Sequence, residues 1–289
     1  MILPVAIIGA GPAGTTAAIQ LKRSGIPFQL LEKSAVGGLL QEADRVENFP
    51  GIARGIAGRA LAARLQRQLD AAGINVQTAQ VLRLARRGGA FALRARNREW
   101  TAAQVILACG TRPLACGPPL DRPWLRGRVF DSILPLQGCV RQTIAIIGGG
   151  DAACDYALNL ARKNRVHIVM RSRTPRALPL LVERCRRHAR ITIHENSPLT
   201  GVRPAPEGDG VILQTRGEEI ACLRVLTAVG RVPALDFLDA ELRAVLPRFI
   251  ASRTIRVIGD AGNGRFRQAA IAAADGMRAA MEMAAGESG

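Results

Sequence analysis

Gly9, Gly11 and Gly14 stand in GAGPAG, and Gly148, Gly150 and Ala153 stand in GGGDAA; each triplet follows an apolar, β-branched run and precedes a stretch of helical periodicity. Strand, tight turn, helix is the order that dinucleotide binding requires. The first glycine turns the chain, the second lets the backbone approach a pyrophosphate, and the third lets the helix pack on the strand. A second apolar run, IPFQLLEK, carries Glu32 twenty-three residues after Gly9, with Lys33 beside it. A carboxylate at that point accepts hydrogen bonds from an adenosine ribose. The residue at the same offset from Gly148 is Arg171. A carboxylate there would repel a 2′-phosphate, whereas a guanidinium pairs with it through charge-assisted hydrogen bonds. The first site is therefore expected to hold a nucleotide with a free ribose, and the second to prefer NADPH over NADH. Arg173 and Arg176 follow closely enough to complete a phosphate clamp.

Two such units in one chain imply two cofactors whose reactive rings meet, and hydride transfer from a nicotinamide to a flavin is the economical expectation. No side chain stands out as catalytic. The elements needed to position the glycines make the fold class α/β, with two Rossmann-like, three-layer dinucleotide-binding domains, and 289 residues with 48% apolar content suffice for both cores. No apolar run approaches the roughly 20 residues of a membrane span, and the opening residues lack a basic leader, so a cytoplasmic protein is expected. The formal charge is +17, and 37 of the 40 basic residues are arginine. They are scattered, and only ten residues are aromatic, which supplies a nucleic-acid stacking platform poorly; the charge reads either as an acidic partner's complement or as the codon bias of a GC-rich genome. The six cysteines, Cys109, Cys116, Cys139, Cys154, Cys185 and Cys222, form no CxxC pair, so neither a zinc site nor a sequence-local dithiol is visible.

These residues resemble the thioredoxin reductase-like pyridine-nucleotide flavoproteins along nearly the whole chain. GAGPAG (9–14), Glu32, the pair Gly37 and Gly38, and VENFPG (46–51) look like the FAD-binding half, and LACGTRP (107–113) looks like its closing motif. GGGDAA (148–153) resembles the NADPH fingerprint, TAVGRVP (227–233) the return strand, and IGD (258–260) and RQA (267–269) the two C-terminal FAD motifs. The resemblance implies a flavin domain in two parts, 1–114 and 236–289, with an NAD(P)H domain, 115–235, inserted between them. It further implies that Gly9, Gly11, Gly14, Glu32, Lys33 and Gly38 hold the ADP part of FAD, with Asn48 near the ring. Gly259 and Asp260 would hold the ribityl or pyrophosphate region, with Arg267, Gln268 and Ala269 toward the pyrimidine edge. Relatives commonly form homodimers.

One departure bears on function. The family's redox CxxC falls on Asp131, Ser132, Ile133 and Leu134, and the acid that follows it falls on Pro135. Disulfide reduction needs one thiolate to attack and a second to exchange with the flavin, so the usual route is missing. Asp131 is expected to be a turn or helix-cap residue, and Cys139 a lone thiol. The NADPH clamp HRRxxxR also reads Met170, Arg171, Ser172 and Arg176, keeping two of three arginines. The expectation is an FAD-dependent NAD(P)H oxidoreductase that delivers electrons to a separate acceptor such as an acidic ferredoxin or flavodoxin. Disulfide chemistry at relocated cysteines such as Cys109 or Cys139, and a non-enzymatic redox sensor, are the alternatives.

Overall fold

The computed structural model describes residues 2–286. The chain divides into two compact units: residues 1–41, 46–112 and 232–289 form the first, and residues 42–45 and 113–231 the second. No helix among the described residues is long and apolar enough to cross a membrane.

Unit 1 is built on β1 (Leu3–Ile8), α1 (Pro12–Arg23), β2 (Phe28–Glu32), α2 (Gly58–Ala71), β3 (Val76–Thr78), β4 (Arg83–Arg87), β5 (Ala90–Arg94) and β6 (Glu99–Leu107). Its sheet runs β3-β2-β1-β6-β5-β4; the pairs around β1 are parallel, and the β4–β5 and β5–β6 pairs are antiparallel. β1 reads as an unbroken apolar run because both its faces are covered. Val5 and Ile7 join the core under α1, whereas Ala6 and Ile8 join the core formed with Leu84, Phe91 and Leu242.

Two short extended segments, β7 (Thr111–Pro113) and β16 (Arg231–Pro233), carry the chain out of unit 1 and back. Between them, β8 (Val129–Phe130), β9 (Thr143–Ile147), α3 (Asp151–Leu160), β10 (Arg165–Val169), α4 (Pro179–Arg187), β11 (Ile191–His194) and β15 (Arg224–Thr227) build unit 2. Its parallel sheet has the order β11-β10-β9-β15-β8. Ile144, Ile146 and Ile168 face α3 and α4; Ala145, Ile147 and Val169 face a second, antiparallel sheet of β12 (Leu199–Pro204), β13 (Val211–Thr215) and β14 (Glu219–Cys222). This is the period-2 alternation of a strand covered on both sides.

After β16 the chain completes unit 1 with α5 (Ala240–Ala251), β17 (Ile255–Val257) and α6 (Ala269–Gly286). β17 pairs in parallel with the carboxyl half of β6, the half that β5 leaves open. α6 packs on α1 at very short range: a Cβ added at Gly276 would stand 2.1 Å from the Ala13 carbonyl oxygen.

Candidate functional site

In unit 1 the three fingerprint glycines have three separate physical reasons. Gly9 has φ +104°, and a Cβ there would stand 2.4 Å from the Ala108 carbonyl oxygen, so only glycine turns the chain at this point. A Cβ at Gly14 would stand 1.8 Å from the Gly9 carbonyl oxygen, so α1 can rest on the turn only without a side chain. A Cβ at Gly11 would meet nothing within 4 Å: it would project into open space over the helix start. Gly11 is also the N-cap of α1 and supplies no side-chain cap. The uncapped amides and the clear approach suit an anion.

The turn is braced from β2. Gly9 N donates to Leu31 O at 2.8 Å, and Ala10 N donates to Glu32 Oε2 at 2.7 Å. Glu32 Oε1 accepts from Ser34 N at 3.0 Å. The buried Glu32 carboxylate therefore orients the glycine loop from the position where a ribose acceptor was expected, and Lys33 beside it is exposed. Gly37 N donates to Ala10 O at 2.8 Å, which sets Gly38, at φ +52°, against the same turn.

Asn48 and Gln268, expected on opposite ends of the chain to serve one cofactor, meet directly: Asn48 Nδ2 donates to Gln268 Oε1 at 2.9 Å. Gln268 directly precedes α6, Ala269 is the first residue of that helix, and Arg267 is half-buried just ahead. Gly259 and Asp260 occupy a single 3-10 turn, Gly259–Ala261. Asp275 organises it, accepting from Gly259 N at 3.2 Å and from Asn263 Nδ2 at 2.5 Å. The sequence reading missed Asp275, although a lone acid inside the alanine-rich run AAIAAADGM was the signal available.

Unit 2 repeats the device with one change. Gly148 has φ +149°, and its Cβ would lie 2.4 Å from the Ala228 carbonyl oxygen; at Gly150 a Cβ would again meet nothing within 4 Å. Gly150 caps α3 without a side-chain bond. The third position holds fully buried Ala153, so α3 stands far enough from its turn to admit a methyl group. The segment after β10 folds back on the fingerprint: Arg176 N and Ala177 N donate to Gly149 O at 2.7 and 3.2 Å, and Leu178 N donates to Asp151 Oδ1 at 2.8 Å. Arg171, Arg173 and Arg176 are exposed along it.

The segment Asp131–Leu134 is held by a buried polar cluster that sequence did not reveal. Ser132 Oγ donates to Glu42 Oε1 at 3.0 Å and accepts from Leu134 N at 3.2 Å, while Tyr156 OH donates to Glu42 Oε2 at 2.5 Å. Ser132, rather than the exposed Asp131, thus supplies the turn oxygen, because its short side chain reaches both Glu42 and the Leu134 amide. Burial and the Glu42 charge push the Tyr156 hydroxyl pKa upward, keeping it a donor.

Next to it, Asp155 Oδ2 accepts from Asp44 N at 2.8 Å, and burial raises its carboxyl to about 6. An unfolded aspartate titrates near ~3.9. The stabilisation from this group is complete below ~3.9 and is lost as pH rises through about 6. Asp155→Asn is therefore expected to raise thermal stability at neutral pH, by on the order of 2 kcal/mol, and to flatten stability between the two values. Melting curves across that range check this; an unchanged pH slope would count against the assignment.

Cys154, Cys185 and Cys222 are buried, and Cys109, Cys116 and Cys139 half-buried. Burial pushes Cys109 and Cys222 to about 12. Neither singled-out thiol gains a cysteine partner; instead Cys185 Sγ donates to the Cys154 carbonyl oxygen at 3.6 Å, both residues being buried between α3 and α4.

With this geometry in hand, comparison with known proteins is decisive. The family model of pyridine nucleotide-disulphide oxidoreductases matches residues 3–276. The chain belongs to that family. The thioredoxin reductase of Treponema pallidum (strain Nichols) is 31% identical over 295 residues, covering 96% of this chain and 94% of its own. A crystal structure of Lactococcus lactis thioredoxin reductase, in a conformation termed FR, superposes with a TM-score of 0.84 at 27% identity, covering 97% of both chains. Thioredoxin reductase from T. acidophilum shares the fold, with a TM-score of 0.85 at 23% identity.

A member of this oxidoreductase family is NAD(P)H-dependent, and FAD and NADPH are the cofactors of the thioredoxin reductase-like branch. The residues present fit both groups: two glycine-capped helices, each with open space over its first amides, stand at the carboxyl ends of the central strands, β1 and β9. Such crevices are where doubly wound sheets bind dinucleotides.

Proposed function

We propose that this chain is an FAD-dependent NADPH oxidoreductase that passes electrons from the flavin directly to a separate acceptor, without a CxxC relay. The observation that carries this reading is that no two of the six cysteines have CxxC spacing, and that residues 131–134 are Asp-Ser-Ile-Leu, with Ser132 committed to Glu42. When bound, FAD accepts hydride from the nicotinamide and releases its electrons onward. In this reading the amides at the start of α1 bind the FAD pyrophosphate, and Glu32 keeps the loop that presents them in shape. Asn48 and Gln268 form one amide pair on the flavin side. The α3 start takes the NADPH pyrophosphate, and Arg171 with Arg176 takes its 2′-phosphate. An acidic carrier of the ferredoxin or flavodoxin type suits the +17 charge, which steers a negative partner at low ionic strength. A homodimer in the cytoplasm is part of the same reading.

The deciding experiment replaces all six cysteines by serine and follows anaerobic flavin bleaching by NADPH, then ferredoxin-coupled cytochrome reduction at low and high salt. Bleaching and salt-sensitive turnover are expected to survive. Loss of turnover in a variant that still holds FAD would instead favour dithiol–disulfide chemistry, the reading that the relatives' names and the Cys154–Cys185 contact support. A flavin that binds NADPH without bleaching would make the protein a sensor rather than an enzyme.

A further inference from the structure

β9, β10 and β11 of unit 2 run parallel, so the residues that lead into them converge on one end of the sheet. Arg141 and Gln142 precede β9, Arg162 to Asn164 precede β10, and Ala189 and Arg190 precede β11. Together they line a cavity of about 760 Å³. The nucleotide fingerprint lies at the opposite end of the same strands, and a five-residue strand spans roughly 17 Å, so the cavity is not part of that site.

Its lining is predominantly cationic. Arg141, Arg162, Lys163, Arg165 and Arg190 line it, and among the described residues no Asp or Glu does. Elsewhere in unit 2 some arginines pair with acids, as in Arg128–Asp209, Arg186–Glu195, Arg187–Glu183 and Arg203–Glu219. Here Arg162 pairs with Asp44, and Arg190 donates to the Arg162 carbonyl. Asn164 Nδ2 donates to Leu160 O, so carbonyls at the end of α3 are already served. Arg141, Lys163 and Arg165 are left without a carboxylate partner among the described residues.

Backbone bonds join the segments that carry these three residues. Arg141 N donates to Lys163 O and Arg165 N to Gln142 O, both at 2.8 Å, with Arg141 in the left-handed region at φ +56°. Clustered like charges in a concave site raise the local potential, and a bound anion lowers it. The volume lies in the range of small-molecule sites.

We propose that this cavity is a second ligand site, distinct from both nucleotide sites, for a small phosphorylated molecule, its phosphate held by Arg141, Lys163 and Arg165. The test is calorimetric titration of the FAD-loaded protein, saturated with NADP⁺, with inorganic tripolyphosphate as probe and ribose 5-phosphate as the organic-phosphate arm. Saturable binding of both is expected. It should weaken at least about tenfold in the Arg141→Ala, Lys163→Ala double variant and in the milder Arg165→Gln variant, and stay unchanged in Arg171→Ala. Melting temperature and flavin content report whether each variant is folded. Absence of saturable heat, or binding that survives both cavity changes, overturns the site; so does loss of binding in Arg171→Ala alone. An acidic carrier protein whose binding requires Arg141 and Lys163, in a protein that ignores tripolyphosphate, would likewise replace the small molecule by a macromolecular partner.

Discussion

Gly14→Val is expected to yield protein with no retained flavin, whereas Gly11→Ala yields folded protein that holds flavin weakly. The two changes act through different parts of the same turn. At Gly14 the new Cβ would stand 1.8 Å from the Gly9 carbonyl oxygen, so α1 must lift off β1. It has little room to do so, because Gly276 of α6 already packs its backbone against Ala13. Overpacking of this kind costs roughly 1–3 kcal/mol, and a displacement of about 1 Å at a binding turn costs on the order of 100-fold. At Gly11 the backbone, with φ −71°, accepts alanine, and the methyl group meets no protein atom within 4 Å. Only an approaching pyrophosphate would feel it. Flavin-to-protein absorbance ratios and melting curves separate the outcomes. A Gly11→Ala protein with full flavin affinity would remove the pyrophosphate from this turn, and a Gly14→Val protein with normal flavin content would refute the packing argument.

The second large effect concerns the choice of nicotinamide nucleotide. Arg171→Ala combined with Arg176→Ala should raise KM for NADPH about 10- to 100-fold and leave KM for NADH nearly unchanged. Each guanidinium offers charge-assisted hydrogen bonds to a 2′-phosphate, and both are exposed, so solvent screening keeps the loss below that of a buried pair. The backbone bonds from Arg176 and Ala177 to Gly149 O do not involve the altered side chains, so the loop keeps its course. Because the lost contact is made equally in the ground and transition states, kcat should hold. Equal losses with NADPH and NADH would show that the arginines shape the loop rather than read the phosphate.

Legibility followed physical range. The glycines at 9, 11, 14, 148 and 150 could be read from sequence because their reasons are local: a positive φ, a helix packed on its own strand, a helix start left open. The strand runs were equally plain, since a doubly covered parallel strand must be apolar throughout. The polar groups that hold these turns from a distance were not legible. Asp275 reaches back sixteen residues to Gly259, and Glu42 meets Tyr156 across 114 residues of sequence. A buried acid is paired by whatever the fold brings near it, and nothing in its own neighbourhood announces the partner.

The amino-acid sequence alone determined the α/β class, the two nucleotide fingerprints with their opposite charges at Glu32 and Arg171, and the lack of any CxxC. Those properties depend on residue type and short spacing. The tertiary structure alone decided that Asn48 meets Gln268, that Cys154 rather than Cys109 or Cys139 lies against another cysteine, and that Arg141, Lys163 and Arg165 line one cavity. Each is a meeting of distant segments, fixed by which strands run side by side and in which direction.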